Sequence, residues 1–232
     1  MVRLASYNVH KCLGLDRRRR PERIMSVIGG LEADLVALQE VDHRLPPRSA
    51  ALPPDLIARR STYRCLPDNG DGPALGWHGQ TILFGPRLRA TGMRLLELPG
   101  LEPRGALLAE FATEAGPLRI VGVHLGLIRR YRQMQLAAIA AAIGRRPPMP
   151  TAILGDFNDW SGHGGGAALG ADFRLHAPGP SFPAARPLGS LDRFALGPGL
   201  HLKAAGVGAG RLARVASDHL PVWADVTFVP DD

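Results

Sequence analysis

Cysteine is almost absent from these 232 residues: only Cys12 and Cys65 occur, too few for a disulfide framework. A reduced, cytoplasmic setting is the expectation. No run approaches the ~20 apolar residues that span a bilayer, so no transmembrane segment is expected. The opening MVRLASYNVH has no charged-then-apolar export pattern. No repeat of fixed period occurs, and no linker is rich enough to divide the chain. The expectation is therefore one domain over 1–232, as a monomer. Lysine is scarce too. Only Lys11 and Lys203 are present, so arginine carries nearly all of the net charge of +7. Basic surface attracts phosphate. An Ala-, Gly-, Pro- and Arg-rich composition also follows from coding bias, so the charge supports an anionic substrate and no more. Hydrophobic residues at 45% and charged residues at 21% exclude wholesale disorder.

Short β-type runs dominate what is there. Strands are expected over Val2–Val9, Asp34–Val41, Tyr63–Leu66 and Gln80–Phe84, and again over Thr151–Leu154, Leu191–Leu196 and Val222–Val229. Ala106–Ala112 and Leu118–Leu125 flank Glu114-Ala115-Gly116-Pro117 and read as a hairpin. Pro21 opens a helix to about Leu31 with Ile24, Ile28 and Leu31 on one face. A second helix runs from Arg129 to Ile143, with Leu136, Ile139 and Ile143 sharing a face before Gly144 and Pro147. Leu45–Pro54 and Gly162–Pro187 read as loops, the second with at most one short helix. Strands outnumbering interspersed helices predict a mixed α/β or α+β layered domain.

Polar residues gather where these runs end. Asn8 and His10 follow the first strand, and Gln39 and Glu40 end another. His124 ends Ile120–Val123, Asp156 and Asn158 follow Ala152–Leu154, Asp192 lies in SLDRF, and Ser217, Asp218 and His219 precede the last strand. Singly, each has a plain explanation as a turn, a cap or a surface charge. Together, strand ends delivered to one edge would line a cleft with hard oxygen donors and acid–base groups. That inventory suits Mg²⁺ or Mn²⁺ and does not suit structural zinc.

The series SYNVH, LQEV, VHL, GDFN, LDRF and SDHLPV resembles the endonuclease/exonuclease/phosphatase superfamily. The motifs keep that family's order from Asn8 to His219, with GDFN and SDHLPV the most specific. The resemblance implies the deoxyribonuclease I fold, a four-layer α/β/β/α sandwich of two packed mixed sheets flanked by helices. It also implies metal-dependent hydrolysis of a phosphate ester with Mg²⁺, or Mn²⁺ in its place. It makes Glu40 the principal metal carboxylate, with Asn8 and Asp218 completing or supporting the site. Asp156 would orient and deprotonate water, and Asn158 would hold that water or a phosphorane oxygen. His219 would contact the scissile phosphate with Asp192 fixing its tautomer, His124 would be a second phosphate-contacting imidazole, and Arg104 would face the phosphate.

Several positions depart from the nuclease pattern. Asp42 stands two residues after Glu40, where many family nucleases place a basic residue that touches the strand; a carboxylate facing a polyanion is unfavourable. Gln80 stands where relatives often carry Asn, and Cys65–Gly79 has no basic-aromatic cluster. Ser181-Phe182-Pro183 ahead of Leu191-Asp192-Arg193 resembles a TFP…LDR pattern of small bacterial members, with Phe182 read as loop packing. The implied function is a divalent-metal-dependent phosphoesterase of phosphodiesterase or endonuclease type, with a phosphate-ester substrate such as nucleic acid or a phospholipid headgroup. The alternatives are a diesterase or phosphatase for phospholipid headgroups or small molecules, and a non-catalytic binding member. Arg17–Arg20 reads as a solvated run. Trp160 is expected near the cleft, Trp223 in the core, and His163, His176 and His201 on the surface. Arg132 and Gln135 echo an R-x-x-Q pattern of relatives on a helix that is otherwise structural.

Overall fold

The computed structural model describes residues 1–68, 70, 72–161 and 166–229. His163 lies outside them. In chain order the strands and helices are β1 (Val2–Asn8), α1 (Pro21–Gly29), β2 (Leu35–Gln39), α2 (Pro54–Arg60), β3 (Arg64–Leu66), β4 (Gln80–Phe84), β5 (Arg89–Leu98), β6 (Arg104–Thr113), β7 (Gly116–His124), α3 (Arg129–Gly144), β8 (Thr151–Asp156), β9 (Arg174–His176), β10 (Asp192–Leu196), β11 (Leu200–Val207), α4 (Ala213–Ala216) and β12 (Val222–Phe228).

They form two six-stranded sheets, ordered β11-β12-β1-β2-β4-β3 and β5-β6-β7-β8-β10-β9. Each sheet has one parallel pair at its centre, β1–β2 in the first and β7–β8 in the second. A parallel pair needs a long crossover, and α1 and α3 supply the two. The continuous apolar runs follow, because central strands are buried on both faces. In β2, Leu35 and Ala37 face the other sheet, while Val36 and Leu38 face the helices. The inter-sheet core packs Leu4, Leu35 and Ile82 against Leu107, Ile120, Leu154 and Phe194. Ile24 and Ile28 of α1 cover the outer face of the first sheet, and Leu136 and Ile139 of α3 cover that of the second. The layers therefore run helix, sheet, sheet, helix, as expected.

Three expectations need correction. Pro54 opens α2 and does not end a loop, since proline is tolerated in the first turn. The hairpin turn is tighter than expected, with Gly116 and Pro117 already in β7 opposite Thr113 and Ala112. Between 166 and 187 the chain forms a 3₁₀ turn at Ala167–Leu169 and the short strand β9. Among the described residues no helix is long and apolar enough to cross a membrane.

Candidate active site

Strand register brings the polar clusters together. In the parallel pair β1–β2, Asn8 is level with Gln39, so Glu40 follows at the same edge. In β7–β8, His124 is level with Asp156, and across antiparallel β10 Asp156 is level with Asp192. β12 runs antiparallel to β1 with Ser6 opposite Val222, which carries residues 217–219 back beside Asn8. There the Ser217 hydroxyl donates to the Asn8 carbonyl at 2.7 Å. The groups come from both sheets, where the sequence pattern suggested the ends of one. The Asn8 amide bridges the sheets by donating to Asp156 Oδ2 at 3.2 Å.

Asp156 is the hub and is 1% exposed. Its Oδ1 accepts the Asn158 backbone N–H at 2.9 Å. Its Oδ2 faces two imidazoles, His124 Nε2 at 3.5 Å and His219 Nε2 at 3.7 Å. Burial pushes the Asp156 carboxyl up to about 6, with Asp192 adding to the rise and His219, the Asn158 amide and Asn8 opposing it. His219 Nδ1 lies 2.9 Å from Asp192 Oδ2. A carboxylate only accepts, so Nδ1 carries a proton and Nε2 faces Asp156. Burial works against a charged His219. The Asp192 charge and hydrogen bond, with Asp156 and Asp218 behind them, outweigh it and raise the imidazole to about 9. His124 goes the other way: burial, then the charges of Arg104, His219 and Lys11, hold it well below its ordinary value. The two rings thus differ in charge at neutral pH.

Local backbone explains why this sequence places them so. Gly155 has φ +152°, and a Cβ there would collide with the Val123 carbonyl of the neighbouring strand. Only glycine lets β7 and β8 close up beneath His124 and Asp156. Asn158 (φ 50°) and Glu40 (φ 56°) both adopt left-handed backbone just past a strand end. Strain of this kind persists where surrounding contacts over-determine it.

Glu40 is held by Lys11, with Arg44 Nη2 3.9 Å from its second oxygen. His10 Nδ1 stands 3.7 Å from Asp218. Burial, then the charge of Arg44, lower the Lys11 amine to about 8. Among the described residues no three His, Cys, Asp or Glu side chains gather at metal-ligand spacing. The expected set of Glu40, Asn8 and Asp218 is therefore not a closed cage. Asn8 Oδ1 already accepts the His10 N–H at 3.1 Å. Mg²⁺ needs only one or two carboxylates and keeps several waters. Glu40 is the hard oxygen donor that fits that mode, and a bound ion would take over the charge pairing that Lys11 and Arg44 supply in this structure.

The sequence profile described as "Endonuclease/Exonuclease/phosphatase family" matches residues 5–219. The chain belongs to this family. It is 30% identical to the uncharacterized protein YbhP of Escherichia coli K12 over 97% of this chain and 95% of that protein. Two solved structures share the fold. An endonuclease/exonuclease/phosphatase from Bacteroides vulgatus has a TM-score of 0.79 at 19% identity, covering 98% of this chain and 99% of its own. A mannosyl-6-phosphatase from Bacteroides thetaiotaomicron has a TM-score of 0.74 at 19% identity, covering 98% and 100%.

Other positions of this family member lie differently from the sequence expectation. Asp42 does not face a substrate. Its carboxylate turns inward to accept the backbone N–H groups of Leu75 (2.7 Å) and Gly76 (3.0 Å), tying down the loop before β4, so it carries no weight against a polyanion. Phe182 does more than pack its loop: its ring lies 4.8 Å from that of His219 and 5.9 Å from Trp160. Trp160 is 62% exposed at the edge of the site. Arg104 is bound by Glu102 at 2.7 Å, and its charge reaches His124. Gln80 is buried, and its amide donates to the Gly105 carbonyl of the other sheet at 2.5 Å. Trp223 is half-buried with the Arg3 guanidinium over its ring.

Five contributors were not assigned a role from sequence. Lys11 holds Glu40 from the turn after β1. Ser181 donates to Asp192 Oδ2 at 2.5 Å. Asp159 and Arg193 form a buried network in which Arg193 Nη2 donates to the Asp159 carbonyl (2.6 Å) and Arg132 reaches the Asp159 carboxylate (3.3 Å). Gln135 accepts the Gly126 N–H at 2.9 Å and donates to the Pro99 carbonyl at 3.0 Å, so α3 braces two loops of the site.

Proposed function

We propose that this protein is a phosphoester hydrolase of phosphodiesterase type, assisted by a divalent cation. One observation carries the reading: a buried carboxylate, Asp156, faces two imidazoles, one of them backed by a second buried carboxylate. An isolated buried carboxylate is costly. Grouping two such carboxylates with two histidines suits acid–base chemistry on an anion.

Asp156 takes the proton of the attacking water, and a carboxyl near 6 is matched to that task at neutral pH. Asn158 and Asn8 hold Asp156 in place. His219, cationic below about 9, donates from Nε2 to the phosphoryl or leaving-group oxygen. Asp192 fixes its proton on Nδ1. His124, neutral, hydrogen-bonds a non-bridging oxygen, and Arg104 adds positive charge behind it. Glu40 would hold Mg²⁺ or Mn²⁺, with Asn8 and Asp218 supporting its waters. When bound, the ion would neutralise charge building on the phosphoryl oxygens.

The test is hydrolysis of bis(p-nitrophenyl) phosphate in Mg²⁺, Mn²⁺ and EDTA. Turnover with either metal that EDTA abolishes is the expected result. Turnover undiminished in EDTA removes the metal from the scheme, and none with any metal returns the chain to the binding reading.

A further inference from the structure

Among the described residues, thirteen large apolar side chains stand exposed, and nine of them lie at the end of the sandwich that carries the site, eight in loops and Val215 in α4. Isolated exposed apolar residues are ordinary on any surface. This end also carries most of the loop residues, so it is the company these side chains keep, more than their number, that is informative. Among the described residues, the loops at the opposite end contribute only Met1 and Val229.

The nine lie on segments that adjoin the strand ends carrying the site. Leu15 lies after β1, and Leu45, 79% exposed, follows Glu40. Leu101 (77%) lies between β5 and β6, and Leu127 (66%) and Ile128 follow His124. Trp160 and Leu188 (69%) flank Phe182, and Leu212 and Val215 precede the Asp218–His219 pair. Backbone hydrogen bonds tie some of these tips to one another or within their own loop. Leu15 N–H donates to the Val215 carbonyl (3.1 Å), and Leu188 N–H to the Phe182 carbonyl (2.9 Å).

Exposed arginine stands within two residues of most tips: Arg17 beside Leu15, Arg44 beside Leu45, Arg129 beside Ile128, Arg186 beside Leu188, Arg211 beside Leu212. The charge sign agrees with the whole chain's +7. We infer that this end of the molecule docks onto an anionic lipid bilayer, with the leucine tips and Trp160 entering the headgroup region and the arginines meeting lipid phosphates.

Three occupants compete for such a face. A nucleic-acid duplex would engage the arginines, but it offers no hydrocarbon to receive leucine side chains. A second copy of the chain would set arginine against arginine. An anionic bilayer offers negative headgroups and apolar depth within a few ångströms, which is what interleaved basic and apolar tips require. Docking in this pose would present headgroup phosphates to Asp156 and His219. That last step rests on the hydrolase reading, whereas docking itself does not.

The experiment is flotation of the full chain with vesicles of phosphatidylcholine alone, and of phosphatidylcholine mixed with phosphatidylglycerol. It is run beside hydrolysis of the soluble aryl diester and binding to a DNA duplex. The protein is expected to float with the mixed vesicles and not with phosphatidylcholine alone. Leu45→Ser/Leu127→Ser/Leu188→Ser should lower vesicle partitioning by at least about tenfold while leaving soluble-diester turnover unchanged. Arg17→Gln/Arg186→Gln/Arg211→Gln should remove the preference for anionic vesicles. Floating without soluble turnover would sink the hydrolase reading and leave the docking face standing. No flotation with mixed vesicles at low salt, equal flotation of the leucine variant, or DNA binding in place of vesicle binding overturns the inference.

Discussion

Asp192 Oδ2 accepts from both the His219 ring and the Ser181 hydroxyl, while its other oxygen, Oδ1, is buried with no hydrogen-bond partner among the described residues. Replacing it changes chemistry more than shape. Asp192→Asn should turn an amide toward Nδ1 and spoil the tautomer, lowering kcat by roughly 10²–10³-fold with little change in KM. Steady-state kinetics on the soluble diester read this, and an unchanged kcat would remove Asp192 from the machinery. Ser181→Ala removes a hydrogen bond to a charged, fully buried acceptor. It should cost roughly 2 kcal/mol of stability, read from the urea midpoint. At this scale much of the candidate site was legible, because Asp156, His124 and Asp192 are polar groups on apolar strands and stand out from their neighbours. Ser181, Asp159 and Lys11 lie in loops without periodicity, where a partner far along the chain decides what a side chain does. Asp42 was misjudged for the same reason: its partners are backbone amides 33 and 34 residues away.

At the level of elements, the β7–β8 pair decides where His124 and Asp156 stand. Gly155 is its tightest point, and Gly155→Ala combines a left-handed φ with a collision against the Val123 carbonyl. A loss of about 3 kcal/mol or more is expected in denaturant unfolding, with activity falling as the strands part; wild-type stability would show that the pair tolerates a side chain. The loop after β8 depends on Asp159. Burial alone would raise this carboxyl, but Ser161 and then Arg193 and Arg132 bring it below the ordinary range. Its folded pKa is thus lower than its unfolded one. The stability it gives is fully present above the unfolded value and is lost as pH falls through the folded one. Asp159→Asn should therefore flatten the loss of stability between about pH 5 and about pH 3. An acid limb as steep as wild type would contradict this. The central strands and both crossover helices were readable from their apolar runs. β5 and β11 were not, since both edge strands mix exposed arginine, lysine or glutamate with half-buried positions and carry no clean alternation.

Across the whole molecule, strand ends of the two facing sheets gather residues from the first strand to the loop before the last. Ordering such a site around a cation should stabilise the fold, because a ligand bound only by the native state raises its stability. Mg²⁺ should raise the thermal midpoint relative to EDTA, and Glu40→Gln should abolish that rise; a shift that survives in Glu40→Gln would move the ion elsewhere. The same logic separates function from folding at Asp156. Its carboxyl is pushed up to about 6, so the ionised form works against the folded state at neutral pH. Asparagine at this position relieves that cost while removing the base. The decisive measurement is therefore Asp156→Asn, assayed in parallel for metal-dependent diester hydrolysis and for thermal unfolding. Turnover should fall by about 10³-fold or more while the unfolding midpoint stays level or rises. Near-wild-type turnover in a folded variant would contradict a hydrolytic centre built on Asp156.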